Sequence, residues 1–291
     1  MRSIVFGFVA VLLAHTAASE TIERTLDVSP RGEVEILNVS GDVRVIGWER
    51  PQVQLRADID SGVDEVQFER RGDRTTVRVK VQRNAERGSA DLVVHVPRDS
   101  TLLSVKTVSA SQRIEGVRGE QRLQSVSGRV ETEVFNEDFE GKTVSGEIVV
   151  NGHGETSAHL TSVSGRLVLE NVGGDLDLNT VNGEMQVLGG AIERARLKTT
   201  NGRMRIEGSL RPDARFDAES INGAIELQLR GSLDAEFNVE TFNGAIRNCF
   251  GPKPQRTDKY APGLVLRFTE GKGSARVRLK TLNGGIELCK K

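Results

Sequence analysis

Apolar and polar residues alternate along most of this chain, and the alternation has two regimes. From Glu20 to Val96 it comes in separate runs: Glu33-Val34-Glu35-Ile36, Asp42-Val43-Arg44-Val45, Val53 to Ala57, Thr76 to Val81 and Asp91 to Val96. A period of two with this β-branched content predicts half-buried strands. The polar stretch Gln82 to Ser89 reads as a loop, and no helical period of useful length follows the first 19 residues. From about Thr101 the alternation is locked to a repeat. Thr180-Val181-Asn182-Gly183-Glu184-Met185 recurs as Ser125 to Val130, Thr143 to Ile148, Ser162 to Leu167, Thr199 to Met204, Ser220 to Ile225, Thr241 to Ile246 and Thr281 to Ile286. Asn38 to Val43 is an early copy, and Ala110 marks a degenerate one.

Taking the motif glycine as origin, the steps from Ala110 onward are 18, 18, 19, 18, 19, 21, 21 and 40 residues. A step near 19 is too short for a helical-hairpin repeat and too long for a simple β-hairpin. It fits one coil of a β-solenoid, which buries its core only by stacking on its neighbours. The position two after the glycine is apolar in all nine clean copies, and the position four after is apolar except at Thr132 and Asn248. Residues two apart share a strand face, so these columns predict aliphatic ladders inside the coil. The position two before the glycine is apolar except at Thr200 and is expected to flank the corner as core. The position three before is Ser or Thr except at Asn38.

The expected architecture is therefore all-β: a parallel β-solenoid of about 18–21-residue coils, right-handed by the general crossover bias, with an irregular β-rich N-terminal cap. Its parts are residues 20–100 as a cap continuous with the solenoid, and 101–291 as the repeats, with a C-terminal excursion over 251–263. The Leu264 to Arg278 strands are expected to loop out with that excursion.

Two polar columns run along the predicted stack. Ser127, Ser145, Ser164, Asn182, Asn201, Asn222, Asn243 and Asn283 immediately precede the glycine. They are expected to form a structural corner ladder, with Asn and Gly supplying the positive φ of a tight turn. Arg129, Glu147, Arg166, Glu184 and Arg203 follow the glycine and alternate in sign. Arg205, Glu226, Arg247 and Glu287 alternate likewise three residues after it. Stacked opposite charges fix register, so these columns read as inter-coil charge ladders rather than as a docking stripe, for which a single sign is more usual.

The early Val39-Ser40-Gly41-Asp42-Val43 followed by Gly47-Trp48, the Val96-Pro97 entry, the tandem Ser/Thr-Val-Ser/Asn-Gly copies and the closing Gly273 to Gly284 together resemble a bacterial family of exported, adhesin-like β-strand-repeat proteins labelled a domain of unknown function. The resemblance spans nearly all of the chain after residue 19. It implies the repeat fold and brings no catalytic residues. Adhesion comes with it only as an analogy of fold. Ala110 and Gln112 depart from the pattern, which predicts an irregular first repeat coil.

Composition narrows the partners. Residues 1–19 carry Arg2, an apolar run from Ile4 to Leu13 and the small residues Ala17-Ala18-Ser19. That is the secretory pattern, too short to span a bilayer comfortably. Export is expected, to the periplasm before the surface, because the closing Cys289-Lys290-Lys291 offers no barrel-forming or wall-sorting tail. Without Arg2, 39 basic and 41 acidic residues leave a net charge of −2, which gives no electrostatic footprint for nucleic acid. The two cysteines, Cys249 and Cys289, each lie five residues after a motif glycine. Stacking of their coils brings their Cα atoms within bridging range, so a disulfide is expected rather than a metal site.

Catalytic signals are poor. His153 and His159 lack converging ligands, and Asp175 with Asp177 reads as an outward charged face. Trp48 reads as cap packing. No cofactor, metal or catalytic residue is expected, nor an integral span after residue 19. The expectation is a non-enzymatic envelope module or scaffold that binds a protein or glycan, with a polysaccharide-cleaving β-helix as the alternative. Binding would be sought where the repeat breaks: Ala110 to Arg113, the His153 bend, or Pro252 to Pro262.

Overall fold

The computed structural model describes residues 20–82, 88–258, 260 and 262–291. The secretory segment, most of the polar loop after Gln82 and part of the 251–263 excursion lie outside the described residues. Those that are described form 25 strands and no helix. Each repeat contributes two strands on either side of the motif corner. Glu120–Ser125, Phe139–Thr143, Glu155–Ser162 and Gly173–Thr180 stack in parallel on one side. Val130–Val134, Ile148–Gly152, Leu167–Glu170 and the start of Met185–Thr199 stack on the other. The register is strict: Val130 lies beside Ile148, Ile148 beside Leu167, and Leu167 beside Met185. The result is a solenoid-like stack with a narrow core between two sheet faces.

The core columns are those that the period of two requires. Val130, Ile148, Leu167, Met185, Met204 and Ile225 are fully buried, and Leu123, Leu160, Leu178, Leu197 and Ala218 meet them from the opposite face. Each fully buried aliphatic side chain contributes about 1.5–3 kcal/mol, so the repeat is stable only as a stack. The Ser or Thr three before the glycine is buried as well, at 7% exposure or less from Thr107 to Thr281. In several coils it satisfies the corner: the amide N–H groups of Gly128, Gly146 and Gly165 donate to the hydroxyls of Ser125, Thr143 and Ser162 at 2.7–2.9 Å.

The corner glycines differ from expectation. Those from Gly128 to Gly284 do not have positive φ; among the motif glycines only Gly41 does, at 102°. They are required by contact instead. A Cβ on Gly146 would lie 2.1 Å from the carbonyl oxygen of Gly128, and one on Gly202 would lie 1.9 Å from that of Gly183. Coils at strand spacing leave no room there for a methyl group.

The coil order also departs from sequence order. Ala275–Asn283 pairs in parallel with both Met204–Ser220 and Ala235–Asn243. Ile286–Lys290 lies between Ile225–Leu229 and Ile246–Asn248. The last coil is thus inserted as the penultimate one, and of the segment expected to loop out, Ala275 to Arg278 lies in the stack. Identical columns make this possible, because any coil carrying the motif can pair with any other. Leu264–Glu270 then runs antiparallel along Ala235–Asn243 and covers its outer edge. Phe237 and Phe268 stack at 4.6 Å there, with Phe250 at 5.6 Å from both. One carboxylate oxygen of Asp234 accepts the amide N–H groups of Lys272 and Gly273 at 2.5 and 2.6 Å and that of Ser274 at 3.3 Å, fixing the turn into the inserted strand.

At the other end, the Gly41 copy is itself a coil. Glu33–Asn38 pairs with Leu102–Thr107, and Asp42–Trp48 pairs with Ser111–Glu115. The Ala110 coil between it and the Gly128 coil is in register, contrary to the expected irregularity. Beyond lie the antiparallel pairs Val63–Arg71 with Arg74–Val81, and Glu20–Asp27 with Gln52–Ile59. The final edge strand, Glu20–Asp27, is mostly exposed and charged, which discourages further strand pairing.

Candidate functional site

The largest departure from the sequence reading is the column two before the glycine. It is not core. Val108, Val126, Val144, Val163, Val181, Ile221, Leu282 and Phe242 are 44–49% exposed. The local geometry explains why. The Ser or Thr before this residue turns inward to the glycine, so the next side chain on an extended backbone points out. Stacking at about 4.8 Å per coil then lines these side chains up as one apolar stripe down the corner. A contiguous exposed apolar row is the feature of this surface to weigh as a candidate interaction site. Thr200 interrupts the stripe and is only partly exposed. There the surface falls into a groove of about 460 Å³, lined by Val181, Thr200, Ile221 and Leu282 with Lys198 and Lys280 on its flank.

The column just before the glycine borders the stripe. Asn201 donates its amide to Asn182 at 2.7 Å, Asn222 to Asn201 at 2.8 Å, Asn283 to Asn222 at 2.8 Å, and Asn243 to Asn283 at 3.0 Å. Toward the N-terminal end, the Ser127 and Ser145 hydroxyls donate to the carbonyls of Val108 and Val126 at 3.3 Å, and the Ser164 amide donates to Val144 O at 2.7 Å. These polar groups are engaged with neighbouring coils, which leaves the stripe as the free chemistry of the corner.

The charge columns lie on the adjoining face. Arg129 pairs with Glu147 at 3.0 Å, and Arg166 reaches Glu147 at 3.8 Å and Glu184 at 3.5 Å. Arg203 turns to Glu226 at 3.6 Å rather than to Glu184. The second column is altered by the inserted coil: its spatial order is Arg205, Glu226, Glu287, Arg247, which sets Glu226 beside Glu287. The like charges are drawn apart, Glu226 toward Arg203 and Glu287 toward Arg247 at 3.5 Å. On the opposite strand face, Asp217 has its carboxyl pushed up by burial and by Glu219, against the pull of Arg278.

At two of the repeat breaks, the Ala110 coil and the His153 bend, the side chains are packed and hydrogen-bonded. Ala110 and Gln112 are buried. The Gln112 amide donates to Thr107 and to Gln124 O at 2.8 and 2.7 Å, while its carbonyl oxygen has no partner. His153 stacks on Phe135 at 5.1 Å, and His159 lies 3.3 Å from Asp177. Asp175 is engaged by the Arg194 guanidinium. Trp48 donates to Gln52 O and packs against His95. No group of three or more metal-ligating side chains occurs among the described residues. Cys249 and Cys289 are disulfide-bonded with Cα atoms 4.8 Å apart, across two directly stacked coils.

A helix-free stack of two-strand coils, glycine-cornered and carrying one exposed apolar stripe, defines a β-solenoid-like repeat protein. The chain belongs to the Toastrack DUF4097 family, matched over residues 74–288. Two solved structures share the fold. One, described as a candidate lipid-binding protein of Parabacteroides distasonis ATCC 8503, is 15% identical with a TM-score of 0.55, over 92% of this chain and 96% of its own. The other, described as a candidate adhesin of Parabacteroides merdae ATCC 43184, is 12% identical with a TM-score of 0.53, over 93% of this chain and 96% of its own. No curated protein matches the sequence.

Proposed function

We propose that this protein is a non-enzymatic binding module of the bacterial cell envelope. In this reading residues 1–19 are a signal peptide and the mature chain works in the periplasm. Residues 20–100 cap a right-handed solenoid of 18–21-residue coils over 101–291, with the 251–263 excursion beside its far end. The single observation that carries the binding role is the exposed apolar stripe from Val108 to Phe242. Leaving such a row in water is unfavourable by about 25 cal/mol per Å², and the fold does not need it, since the core columns are separate. The descriptions carried by the two structural neighbours, lipid binding and adhesion, are both of binding proteins.

A protein partner fits better than a glycan. The stripe is aliphatic apart from Phe242, whereas sugar recognition favours stacking on aromatic faces and dense hydrogen bonding. Burial of aliphatic surface is the ordinary driving force of protein association. The test is photo-crosslinking in cells from probes at Val126 and Val163, with a probe at the outward residue Arg196 as control. Discrete adducts from the stripe, lost in a Val144→Lys variant of unchanged melting temperature, are expected. Adducts equally abundant from Arg196, or unaffected by Val144→Lys, would refute the stripe as the docking line.

A further inference from the structure

The C-terminal third of the stripe is complementary to itself. In spatial order its rungs are Thr200, Ile221, Leu282 and Phe242, because the last coil is inserted before the Phe242 coil. Thr200 is the notch of the stripe, opening on the groove, and Phe242 is its largest side chain, 49% exposed. Beside these rungs, on the strand two residues earlier, runs a row of charges in the order Lys198, Glu219, Lys280, Glu240. Its signs alternate only because the inserted coil places Lys280 between the two glutamates. In sequence order Glu219 and Glu240 would be adjacent.

We propose that this segment docks a second copy of the same chain, antiparallel, about a twofold axis crossing the stripe between Ile221 and Leu282. Such an axis lies in the contact plane at right angles to the stripe. It reverses the order of rungs and keeps both charged rows on the same side. Phe242 of one copy then enters the Thr200 notch of the other, and Ile221 meets Leu282. In the same register Lys198 faces Glu240 and Glu219 faces Lys280, so every charge in the row meets its opposite. Shifting the register by one coil sets like charges against each other: with the axis through Glu219, that residue meets its own copy and Lys198 meets Lys280. An isologous contact requires this reciprocity, residue i on j and j on i. Electrostatic complementarity supplies the register, and the aromatic knob in the notch supplies the anchor.

The contact engages four rungs and falls well below the ~800 Å² per partner of a standard interface. A weak dimer is expected, measurable by sedimentation equilibrium at about 0.1–0.5 mM chain. The inference goes beyond the proposed envelope partner and uses the C-terminal rungs of the same stripe, away from Val144, so Val144→Lys leaves the dimer intact. Phe242→Ala and Thr200→Phe should each weaken dimerisation by roughly tenfold or more. Glu219→Lys opposes Lys280 of the second copy, and Lys280→Glu opposes its Glu219, so each single variant should be monomeric. An equimolar mixture of the two should dimerise again, because both facing pairs are then opposite in sign. Melting temperatures of all variants establish that they are folded. A wild-type chain that stays monomeric across this range would overturn the proposal. So would single variants that still dimerise, or a mixture that fails to recover.

Discussion

The Cβ that Gly183 lacks would stand 2.1 Å from the carbonyl oxygen of Gly165 and 2.6 Å from the hydroxyl of Thr180. Both atoms are held in the corner, one by the neighbouring backbone and one by its buried side chain, so neither yields cheaply. Gly183→Ala should therefore destabilise the protein by about 1–3 kcal/mol through overpacking. Since φ is not positive at Gly183, the whole cost comes from contact. Urea denaturation reads it, and an unchanged midpoint would contradict this account of the corner.

Leu279 and Leu282 lie three residues apart in the inserted coil, yet the first is fully buried and the second is 47% exposed. Leu279→Ala should cost about 2–5 kcal/mol, while Leu282→Ala should stay within about 0.5 kcal/mol. Comparable losses at both positions would mean that the stripe is packed against something in the folded monomer.

The Cys249–Cys289 bridge closes 40 residues that include the covering hairpin and the inserted coil. By loop-closure entropy it stabilises by about 4 kcal/mol. Replacing both cysteines with serine should lower the denaturation midpoint, and limited proteolysis should first cut between Phe250 and Gly273. A variant as stable and as resistant as the native protein would show that the insertion holds without the bridge.

Asp234 supplies a pH dependence. Burial raises its pKa, but the amides of Ser274, Gly273 and Lys272 outweigh that, and the net shift is downward. A carboxyl with a depressed folded pKa contributes stability above its unfolded pKa, near 4. That contribution is lost as pH falls through the lower, folded value. Asp217 is shifted up, chiefly by burial and then by Glu219, so its ionised form costs stability at neutral pH and the cost disappears on acidification. Asp234→Asn should lower the pH 7 melting temperature and narrow its gap from the native protein toward pH 3. Asp217→Asn should raise the pH 7 melting temperature. Thermal melts from pH 3 to 7 check both signs, and parallel curves for Asp234→Asn would refute its role.

Much of the fold was legible because a β-coil writes its periodicity into the chain. The columns at two and four after the glycine, from Val43 to Ile286, are buried apart from Asn248, which is only partly so. The outward column of Val126, Val144 and Val163 was misread because its residues have the composition of core. Only the inward turn of the preceding Ser or Thr decides that they face water. The insertion of the last coil was equally invisible. Every copy of the motif offers the same glycine, the same hydroxyl and the same aliphatic ladder, so sequence cannot rank which coil stacks on which.

The repeat unit and the aliphatic core columns are thus written along the chain, because each depends on contacts within one coil or with any like neighbour. Tertiary structure alone decided the order of the last two coils, the pairing of Arg203 with Glu226 and the adjacency of Glu226 and Glu287. It also exposed the stripe that carries the functional reading. These depend on which identical surfaces meet and on where a corner turns its side chains, and a period along the chain encodes neither.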